Sequence, residues 1–204
     1  MKNKIILASS SPQRKALLEQ IGLEFETMPS SYEENMQQET GHKKLAMELA
    51  YGKARDVAEK TKEGLVIGAD TFIALGDERL GKPKNDEDAR LMLKKVSGKT
   101  LEIYSGIAII DSATKKSVTD YEVTKVKMKE MSDEEINAYI KTKEPINKAG
   151  ACAIEGIGAM FIERIEGCYS NIVGLPLYRL CRNLEKFGLN AILKNKKINK
   201  TQMR

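Results

Sequence analysis

Two charged residues stand in stretches of this 204-residue chain that are otherwise apolar. Asp70 lies inside LVIGADTFIAL, and Lys53 shares a helical face with four apolar residues, Ala46, Leu49, Ala50 and Val57. A buried carboxylate needs a cation, strong hydrogen-bond donors or a proton, because an unpaired charge is costly away from water. Each residue also has a plainer interpretation. Asp70 could cap a turn at the end of a strand, and Lys53 could cover the core with its stem while its ammonium reaches water.

A second group of chemical residues lies where a strand gives way to a helix, in ILASSSPQRKALLEQIG at residues 5–21. Ser11 followed by Pro12 is a typical helix start, and the unpaired N–H groups of a helix N-terminus favour phosphate or carboxylate. Arg14 adds a bidentate donor on the first turn, and Ser9 adds a hydroxyl. An ordinary N-cap with a surface arginine is the alternative. The stretch is not a Walker A loop, because it lacks the glycines and the GK[ST] ending.

Further lysines and carboxylates complete the candidates. Lys82 lies in LGKPKND, where the following proline restricts the backbone and so fixes the direction of the lysine; an exposed lysine in a turn is the alternative. Glu33 and Glu34 lie in a polar loop and either are solvated or face a metal. His42 is the only histidine, which disfavours a Ser-His-Asp triad or a histidine-rich zinc site. Oxygen ligands suit Mg²⁺ or Mn²⁺, so the candidates together describe a site for a metal-bound polyphosphate.

The elements that must position these residues alternate irregularly between strands and helices. Strands are predicted at residues 4–9, 24–28, 65–75, 101–110, 117–128 and 159–165. Helices are predicted from Pro12 to 21, from 43 to 61, from Asn85 to Gly98, from Ser132 onward and from Leu175 to Phe187. Residues 29–42 are polar without periodicity, which indicates a long loop, and 101–128 should form a hairpin. This order predicts an α/β fold with a mixed sheet flanked by helices.

Composition sets the wider limits. A chain with 41% hydrophobic and 31% charged residues suits one globular domain. Residues 189–204 form a basic tail whose five Lys or Arg residues account for the whole net charge of +5. No apolar stretch is long enough to span a bilayer and the N-terminus lacks a secretory signal, so we expect a cytoplasmic protein. The three cysteines lack CxxC spacing, which favours reduced thiols over a disulfide framework.

Eight motifs, in this order, give the chain its resemblance to a known family. They are ILASSSPQRKALLEQIG, YEEN, AYGKA, VIGADT, LGKPKNDEDA, KVSGKT, YIKTKEPINKAGACAIEG and YSNIVGLPL. Together they resemble the Maf family of nucleoside triphosphate pyrophosphatases, originally linked to inhibition of septum formation, over a single domain at residues 1–188. The resemblance implies an elongated mixed sheet with two lobes around a cleft, the Maf/Ham1 fold shared with inosine triphosphate pyrophosphatases. It also implies a homodimer and hydrolysis of a nucleoside triphosphate to the monophosphate and pyrophosphate.

Six positions carry over from the motifs of the family: Ser9, Arg14, Glu34, Lys53, Asp70 and Lys82. We expect Glu34 and Asp70 to hold or flank a divalent cation, Mg²⁺ or Mn²⁺. Asp70 would activate water for attack on the α-phosphorus, either directly as the base or through the metal. Arg14, Lys53 and Lys82 would bind the phosphates and stabilise charge on the leaving pyrophosphate, with Ser9 beside them.

Three more positions bear on the base of the substrate: Gln13, Thr71 and Glu155. Family members that resemble dTTP/UTP pyrophosphatases carry arginine, threonine and glutamine there, and the branch that prefers 7-methyl-GTP carries an aromatic residue, glutamine and glutamate. Thr71 agrees with the first branch and Glu155 with the second. Glu155 suits the N1–H and amino edge of guanine, yet Gln13 offers no aromatic platform for a cationic base. KAGACAIEG and GAMFIERIEG look closer to the dTTP/UTP branch, which we place first.

Two hypotheses of other classes stay open. A non-enzymatic division regulator or nucleic-acid-binding protein would use the fold and the basic tail. The six chemical positions argue against a dead enzyme, and a solvated terminus explains the tail. A metal-dependent phosphatase or nucleotide kinase would release orthophosphate instead of pyrophosphate. We therefore expect a nucleoside triphosphate as substrate, with neither a membrane nor a nucleic acid as partner.

Overall fold

The computed structural model describes residues 4–36 and 40–194. Seven strands and six α-helices follow one another in this part of the chain. The strands are β1 (Ile5–Leu7), β2 (Glu26–Thr27), β3 (Leu65–Leu75), β4 (Glu78–Leu80), β5 (Thr100–Asp111), β6 (Ser117–Met128) and β7 (Ile162–Glu166). The helices are α1 (Pro12–Gln20), α2 (His42–Glu59), α3 (Asp86–Val96), α4 (Asp133–Lys141), α5 (Tyr169–Val173) and α6 (Leu177–Glu185). Short 3₁₀ helices occupy Glu144–Asn147, Ala149–Ala151 and Ile157–Phe161.

The strands of the described residues form one mixed sheet. Its order is β2-β1-β3-β5-β6-β7, and β4 pairs with β3 outside this path. β1 runs parallel to both β2 and β3, with Ile6 opposite Glu26 on one side and Val66 on the other. β4 is antiparallel to β3, and β7 is antiparallel to β6. The predicted α/β fold with a mixed sheet flanked by helices is confirmed.

The chain divides into two compact units. Unit 1 contains the residues up to Thr71, Ser105–Glu122 and the residues from Gly174 onward, and unit 2 contains Phe72–Tyr104 and Val123–Val173. Each unit has a buried apolar core. The core of unit 1 includes Ile6, Ala54, Val57, Val66 and Ile110. The core of unit 2 includes Leu93, Ile103, Met128, Tyr139 and Phe161. That residues 1–188 form a single domain stays a prediction.

Two glycines let α2 lie very close to the sheet in unit 1. A Cβ atom on Gly106 of β5 would lie 1.8 Å from the carbonyl oxygen of Ala46, and one on Gly68 of β3 would lie 2.3 Å from that of Ala50. Neither strand position can carry a side chain unless the helix moves away. The close approach therefore holds the sheet-facing side chains of α2 at short range from β3.

Three predicted helix starts are confirmed. Ser11, Asn85 and Ser132 are N-caps, and each side chain accepts a hydrogen bond from a backbone N–H group in the first turn. Ser132 and Glu135 form a complete capping box, in which each side chain bonds to the backbone of the other residue. β5 and β6 are neighbours in the sheet and are joined by a short turn, as the hairpin prediction requires.

Some elements differ from those predicted from the sequence. The strand predicted at 159–165 begins only at Ile162, because residues 157–161 form a 3₁₀ helix. The last helix begins at Leu177, and α5 and β4 were not expected from the sequence. Elements of three to five residues contain too few periodic positions to be recognised by pattern.

Among residues 4–36 and 40–194, none of the helices has both the length and the apolar character that crossing a bilayer requires. Residues 195–204 of the predicted basic tail lie outside the described residues.

Candidate active site

Lys53 lies at the centre of a charged cluster in unit 1. Its Nζ atom lies 2.6 Å from Oδ1 of Asp70 and 2.6 Å from Oε1 of Glu34. Asp70 is only 5% exposed, so its charge requires a partner of this kind. It stands inside β3 and not at a strand end, which rules out the turn-cap interpretation. The snorkelling interpretation of Lys53 is also wrong, because its ammonium is paired with two carboxylates.

Asp56, on α2, anchors the loop that precedes Glu34. Its carboxylate accepts hydrogen bonds from Oγ of Ser30 at 2.9 Å and from the N–H group of Ser31 at 2.8 Å. Lys60, one turn further along the helix, donates to it at 2.7 Å. These hydrogen bonds hold the pKa of Asp56 well below its usual value. The bond from Lys60 has the largest effect, and the bond from the N–H group of Ser31 comes next.

The ring of Tyr32 provides the second anchor of this loop. A Cβ atom on Gly52 of α2 would lie 2.4 Å from Cζ of Tyr32, so the ring rests directly on the helix backbone. Glu34 follows two residues later and reaches Lys53 from there. The motifs YEEN and AYGKA are therefore adjacent in space, because the glycine of the second makes room for the tyrosine of the first.

Arg14, on the first turn of α1, is fixed by two hydrogen bonds. Its Nε atom donates to the carbonyl oxygen of Gly174 at 2.9 Å, and Nη1 donates to Oγ of Ser9 at 3.2 Å. Ser9 is buried and also accepts from the N–H group of Ser11 at 3.2 Å. Burial lowers the pKa of the Arg14 guanidinium, and the two carboxylates around Lys53 oppose this shift. An arginine stays charged under these conditions.

The carbonyl of Gly174 also accepts from Thr71, the residue that follows Asp70. Oγ1 of Thr71 lies 3.2 Å from this oxygen and 2.6 Å from Oγ of Ser105, which is fully buried in β5. Gly174 has φ = +125°, a conformation that favours glycine. Sequence reasoning missed both Ser105 and Gly174. A serine in a β-strand and a glycine in a turn carry no pattern that marks a site.

Gln13 lies beside the N-terminus of α1. Its Oε1 atom accepts a hydrogen bond from Oγ of Ser11 at 3.2 Å, and the same hydroxyl oxygen accepts from the N–H group of Arg14 at 3.4 Å. Gln13 and Thr71 thus both belong to unit 1.

Lys82 and Glu155 belong to unit 2, and both are exposed. The carbonyl oxygen of Gly81 accepts from the N–H group of Gly150 at 3.0 Å, which fixes the backbone just before Lys82. The roles predicted for Lys82 and Glu155 stay predictions.

Glu144 organises the segment that carries Glu155. Its carboxylate accepts hydrogen bonds from the hydroxyl of Tyr139 at 2.6 Å and from the N–H groups of Ile157 and Gly158, each at 2.9 Å. Burial raises the pKa of Glu144, but these hydrogen bonds outweigh burial and the net direction is downward. A half-buried carboxylate that accepts from a tyrosine hydroxyl and two backbone N–H groups holds this segment in place.

Glu34 and Asp70 supply carboxylate oxygens, the ligand type that Mg²⁺ and Mn²⁺ prefer. Oε1 of Glu34 and Oδ1 of Asp70 each lie 2.6 Å from the ammonium of Lys53, which the two carboxylates share. Mg²⁺ usually takes one or two protein carboxylates and completes its coordination with phosphate oxygens and water. Among the described residues, no group of three or more His, Cys, Asp or Glu side chains could hold a metal ion by itself.

The cluster of unit 1 therefore combines two cations, two carboxylates and a helix N-terminus, an arrangement suited to a phosphorylated ligand with its metal. The sequence profile of the family described as Maf-like protein matches residues 4–187. This chain belongs to the Maf family.

Curated relatives match nearly the whole chain. A dTTP/UTP pyrophosphatase of Ruminiclostridium cellulolyticum is 54% identical over 189 residues, which are 92% of this chain and 98% of the relative. A dTTP/UTP pyrophosphatase of Acetivibrio thermocellus is 49% identical over 198 residues, with 94% and 98% covered. Among solved structures, a HAM1 protein from Coxiella burnetii matches 62% of this chain and 73% of its own, at 19% identity and a TM-score of 0.45.

Proposed function

We propose that this chain is a nucleoside triphosphate pyrophosphatase, which converts a nucleoside triphosphate and water to the nucleoside monophosphate and pyrophosphate. The observation that carries the proposal is the cluster of Arg14, Glu34, Lys53 and Asp70 in unit 1. The relatives named dTTP/UTP pyrophosphatase, at up to 54% identity, support the same activity. We propose dTTP and UTP as the preferred substrates.

Arg14 binds the triphosphate in this proposal. Two of the N–H donors of its guanidinium hold it to Gly174 and Ser9, so its remaining donors are available to phosphate oxygens. The N-terminus of α1 adds its partial positive charge. Because the guanidinium is already oriented before the substrate arrives, little freedom is lost on binding.

Asp70 is the proposed base. The oxygen of a water molecule attacks the α-phosphorus, the bond from phosphorus to the bridging oxygen breaks, and its electron pair leaves with pyrophosphate. Asp70 takes the proton of the water, while Lys53 balances the charge of the carboxylate and of the departing group. Lys82 is proposed to bind the pyrophosphate as well.

Glu34 and Asp70 are the proposed ligands of a divalent cation, Mg²⁺ or Mn²⁺. When bound, the cation supplies a Lewis acid that neutralises phosphate charge. Chelation with EDTA should abolish turnover, and added Mg²⁺ or Mn²⁺ should restore it. Turnover that continues at full rate in EDTA would contradict the metal requirement.

The deciding experiment measures pyrophosphate release from UTP, dTTP, CTP, ATP, GTP and 7-methyl-GTP with either cation. Asp70→Asn should lower kcat by at least about 10²-fold, the usual contribution of a general base. Asp77→Asn, the same change at an exposed position, should leave kcat unchanged. Release of orthophosphate alone would favour a phosphatase, and equal rates for the two variants would remove Asp70 from the chemistry.

The base preference needs its own variant, because Glu155 agrees with the 7-methyl-GTP branch. If Glu155 reads the base edge, Glu155→Gln should shift kcat/KM toward UTP and dTTP and away from guanine nucleotides. The exposed Glu163→Gln serves as the matched control. An unchanged preference would mean that Glu155 does not contact the base. The expected homodimer and cytoplasmic location stay predictions, and ultracentrifugation tests the first.

A further inference from the structure

Glu34 lies in a segment without regular secondary structure. Residues 29–35 form neither a helix nor a strand, and Glu34 itself is exposed. Ordering such a segment costs conformational entropy at every residue, and the segment lacks the repeating backbone hydrogen bonds of a helix or strand. The contact of 2.6 Å between Oε1 of Glu34 and Nζ of Lys53 therefore depends on what holds the residues just before it.

The start of this segment is bonded to two side chains of α2. Oδ2 of Asp56 accepts hydrogen bonds from Oγ of Ser30 at 2.9 Å and from the N–H group of Ser31 at 2.8 Å. Lys60 donates to Oδ1 of Asp56 at 2.7 Å and to Oγ of Ser31 at 2.9 Å. Oγ of Ser30 in turn accepts from the N–H group of Tyr32 at 3.0 Å. One carboxylate is thus connected, directly or through one further bond, to three consecutive residues.

The segment from Ser30 to Glu34 lies along α2 in the direction opposite to the helix. Its first residues bond to Asp56, and its last residue, Glu34, reaches Lys53, three residues earlier in α2. Positions three apart are neighbours on one face of a helix. Asp56 and Lys53 therefore hold the two ends of the segment from the same face, and all of these residues belong to unit 1.

We propose that Asp56 is a positioning residue for the reaction, because its carboxylate holds Ser30 and Ser31 on α2 and thereby keeps Glu34 beside Lys53. The inference rests on the proposed function and deepens it by adding a residue that acts only through Glu34. Without this anchor the segment samples other positions. Only the fraction of molecules with Glu34 in place then binds and converts the substrate.

Asp56→Ala tests the inference, because alanine removes both acceptor oxygens and favours the helix. We expect kcat/KM for UTP to fall at least about tenfold, the effect of losing one hydrogen bond to a charged group. Asp56→Asn keeps one acceptor oxygen and should fall between the wild type and Asp56→Ala. Glu48→Ala is the matched control, since Glu48 is a carboxylate of α2 that pairs with Lys44, four residues away. The control should keep the wild-type value, and a wild-type value in Asp56→Ala overturns the inference.

A second background separates positioning from a general loss of stability. Glu34→Gln removes the charge that Asp56 is proposed to place, so Asp56→Ala should cause little further fall of kcat/KM in that background. A general loss of stability would lower kcat/KM by the same factor in both backgrounds. A second fall of the same size in the double variant therefore overturns the inference.

Hydrogen exchange followed by NMR tests the positioning without turnover. The N–H group of Tyr32 donates to Ser30 and not to Asp56 itself, so its exchange rate reports the order of the segment. Asp56→Ala should raise this rate at least about tenfold, and Glu48→Ala should leave it unchanged. Faster exchange in Asp56→Ala supports the inference even if the wild type releases no pyrophosphate, a result that would contradict the proposed function alone. Equal exchange in Asp56→Ala and the wild type overturns the inference, while pyrophosphate release would still support the proposed function.

Discussion

At the scale of single residues, the ion pair of Lys53 and Asp70 should stabilise the folded chain as well as take part in the proposed reaction. Lys53→Met leaves the Asp70 carboxylate buried without its cation, and breaking a buried pair in this way costs about 3–5 kcal/mol. We expect the free energy of unfolding in urea to fall by about 3 kcal/mol. Lys44→Met, on an exposed part of α2, removes only a surface pair and should cost less than about 1 kcal/mol.

A double variant distinguishes charge from packing at this pair. Asp70→Asn in the Lys53→Met background removes the buried charge, so it should recover part of the lost stability. A further loss of stability in the double variant would mean that the two side chains matter through their packing.

Arg14→Lys is the second residue-scale prediction. Nε and Nη1 of Arg14 bond to two separate acceptors, and a lysine ammonium on a flexible stem cannot reproduce this fork. We expect kcat/KM for UTP to fall at least about tenfold, while urea unfolding changes little. Lys15→Arg, a charge-conserving change at the exposed next position, should leave both quantities unchanged. Native activity in Arg14→Lys would show that only the charge is needed.

A functional residue whose polarity differs from that of its sequence neighbours can be recognised from the sequence. A functional residue that is typical of its element cannot. Asp70 and Lys53 are charged within apolar patterns, and this conflict singles both out in the sequence, although it leaves a plainer structural interpretation open for each. Ser105 fits its strand, and only the distance to Thr71 shows its contact with the site. The pairing of Lys53 with Asp70 is also hidden in the sequence, because it depends on the close packing of α2 against the sheet.

At the scale of elements, one of the two anchors of the segment before Glu34, the ring of Tyr32, depends on a single glycine of α2. A Cβ atom on Gly52 would overlap the ring of Tyr32, so Gly52→Ala must displace the ring and with it Glu34. We expect kcat/KM to fall by about tenfold or more, because small displacements of site residues have large effects on rate. Gly41→Ala, where nothing lies within 4 Å of the added Cβ, should retain full activity. Equal activity of the two variants would contradict the proposed dependence of Glu34 on the position of the Tyr32 ring.

The segment around Glu155 should respond to acid through Glu144. The pKa of Glu144 is lowered in the folded protein relative to about 4.3 in the unfolded chain, so its carboxylate stabilises the fold above that pH. The contribution is lost as the pH falls through the folded-state pKa. Glu144→Gln should lower the free energy of unfolding at pH 7 by about 1 kcal/mol or more.

The difference between wild type and Glu144→Gln, measured as urea midpoints from pH 7 to pH 3, should shrink below about pH 4. A difference that stays constant over this range would mean that the charge of Glu144 does not contribute. Glu163→Gln, an exposed change in β7, controls for general effects of charge.

Long periodic elements were predicted well because their patterns repeat. β3 has the predicted bounds, and the caps of α1, α3 and α4 stand where the sequence placed them. No element was predicted for the glycine-rich segment between the helix that begins after Ser132 and the strand predicted at 159–165. Its turns depend on Glu144, which lies several residues away and resembles any surface glutamate in the sequence.

At the scale of the whole molecule, the two units could not be read from the sequence. β3, β5 and β6 each contribute residues to both units, so no linker or change in composition marks a division. The sequence therefore predicts one domain, and the family profile also matches residues 4–187 without a break.

The basic tail provides the last prediction, because it lies beyond the family match and carries the net charge. Deletion of residues 196–204 removes Lys196, Lys197, Lys200 and Arg204, which lowers the net charge from +5 to +1. The proposed site residues all lie before residue 188. We therefore expect kcat/KM of the truncated chain for UTP to stay within about twofold of the value for the full chain.

Duplex DNA tests whether the same tail has a function of its own. Any binding should be weak and non-specific, and it should disappear as salt rises toward physiological concentration, because so few phosphate contacts are available. The truncated chain should therefore match the full chain at that salt. Tight binding that survives physiological salt and vanishes on truncation would instead favour the hypothesis of a nucleic-acid-binding regulator, since only a larger basic surface could sustain it.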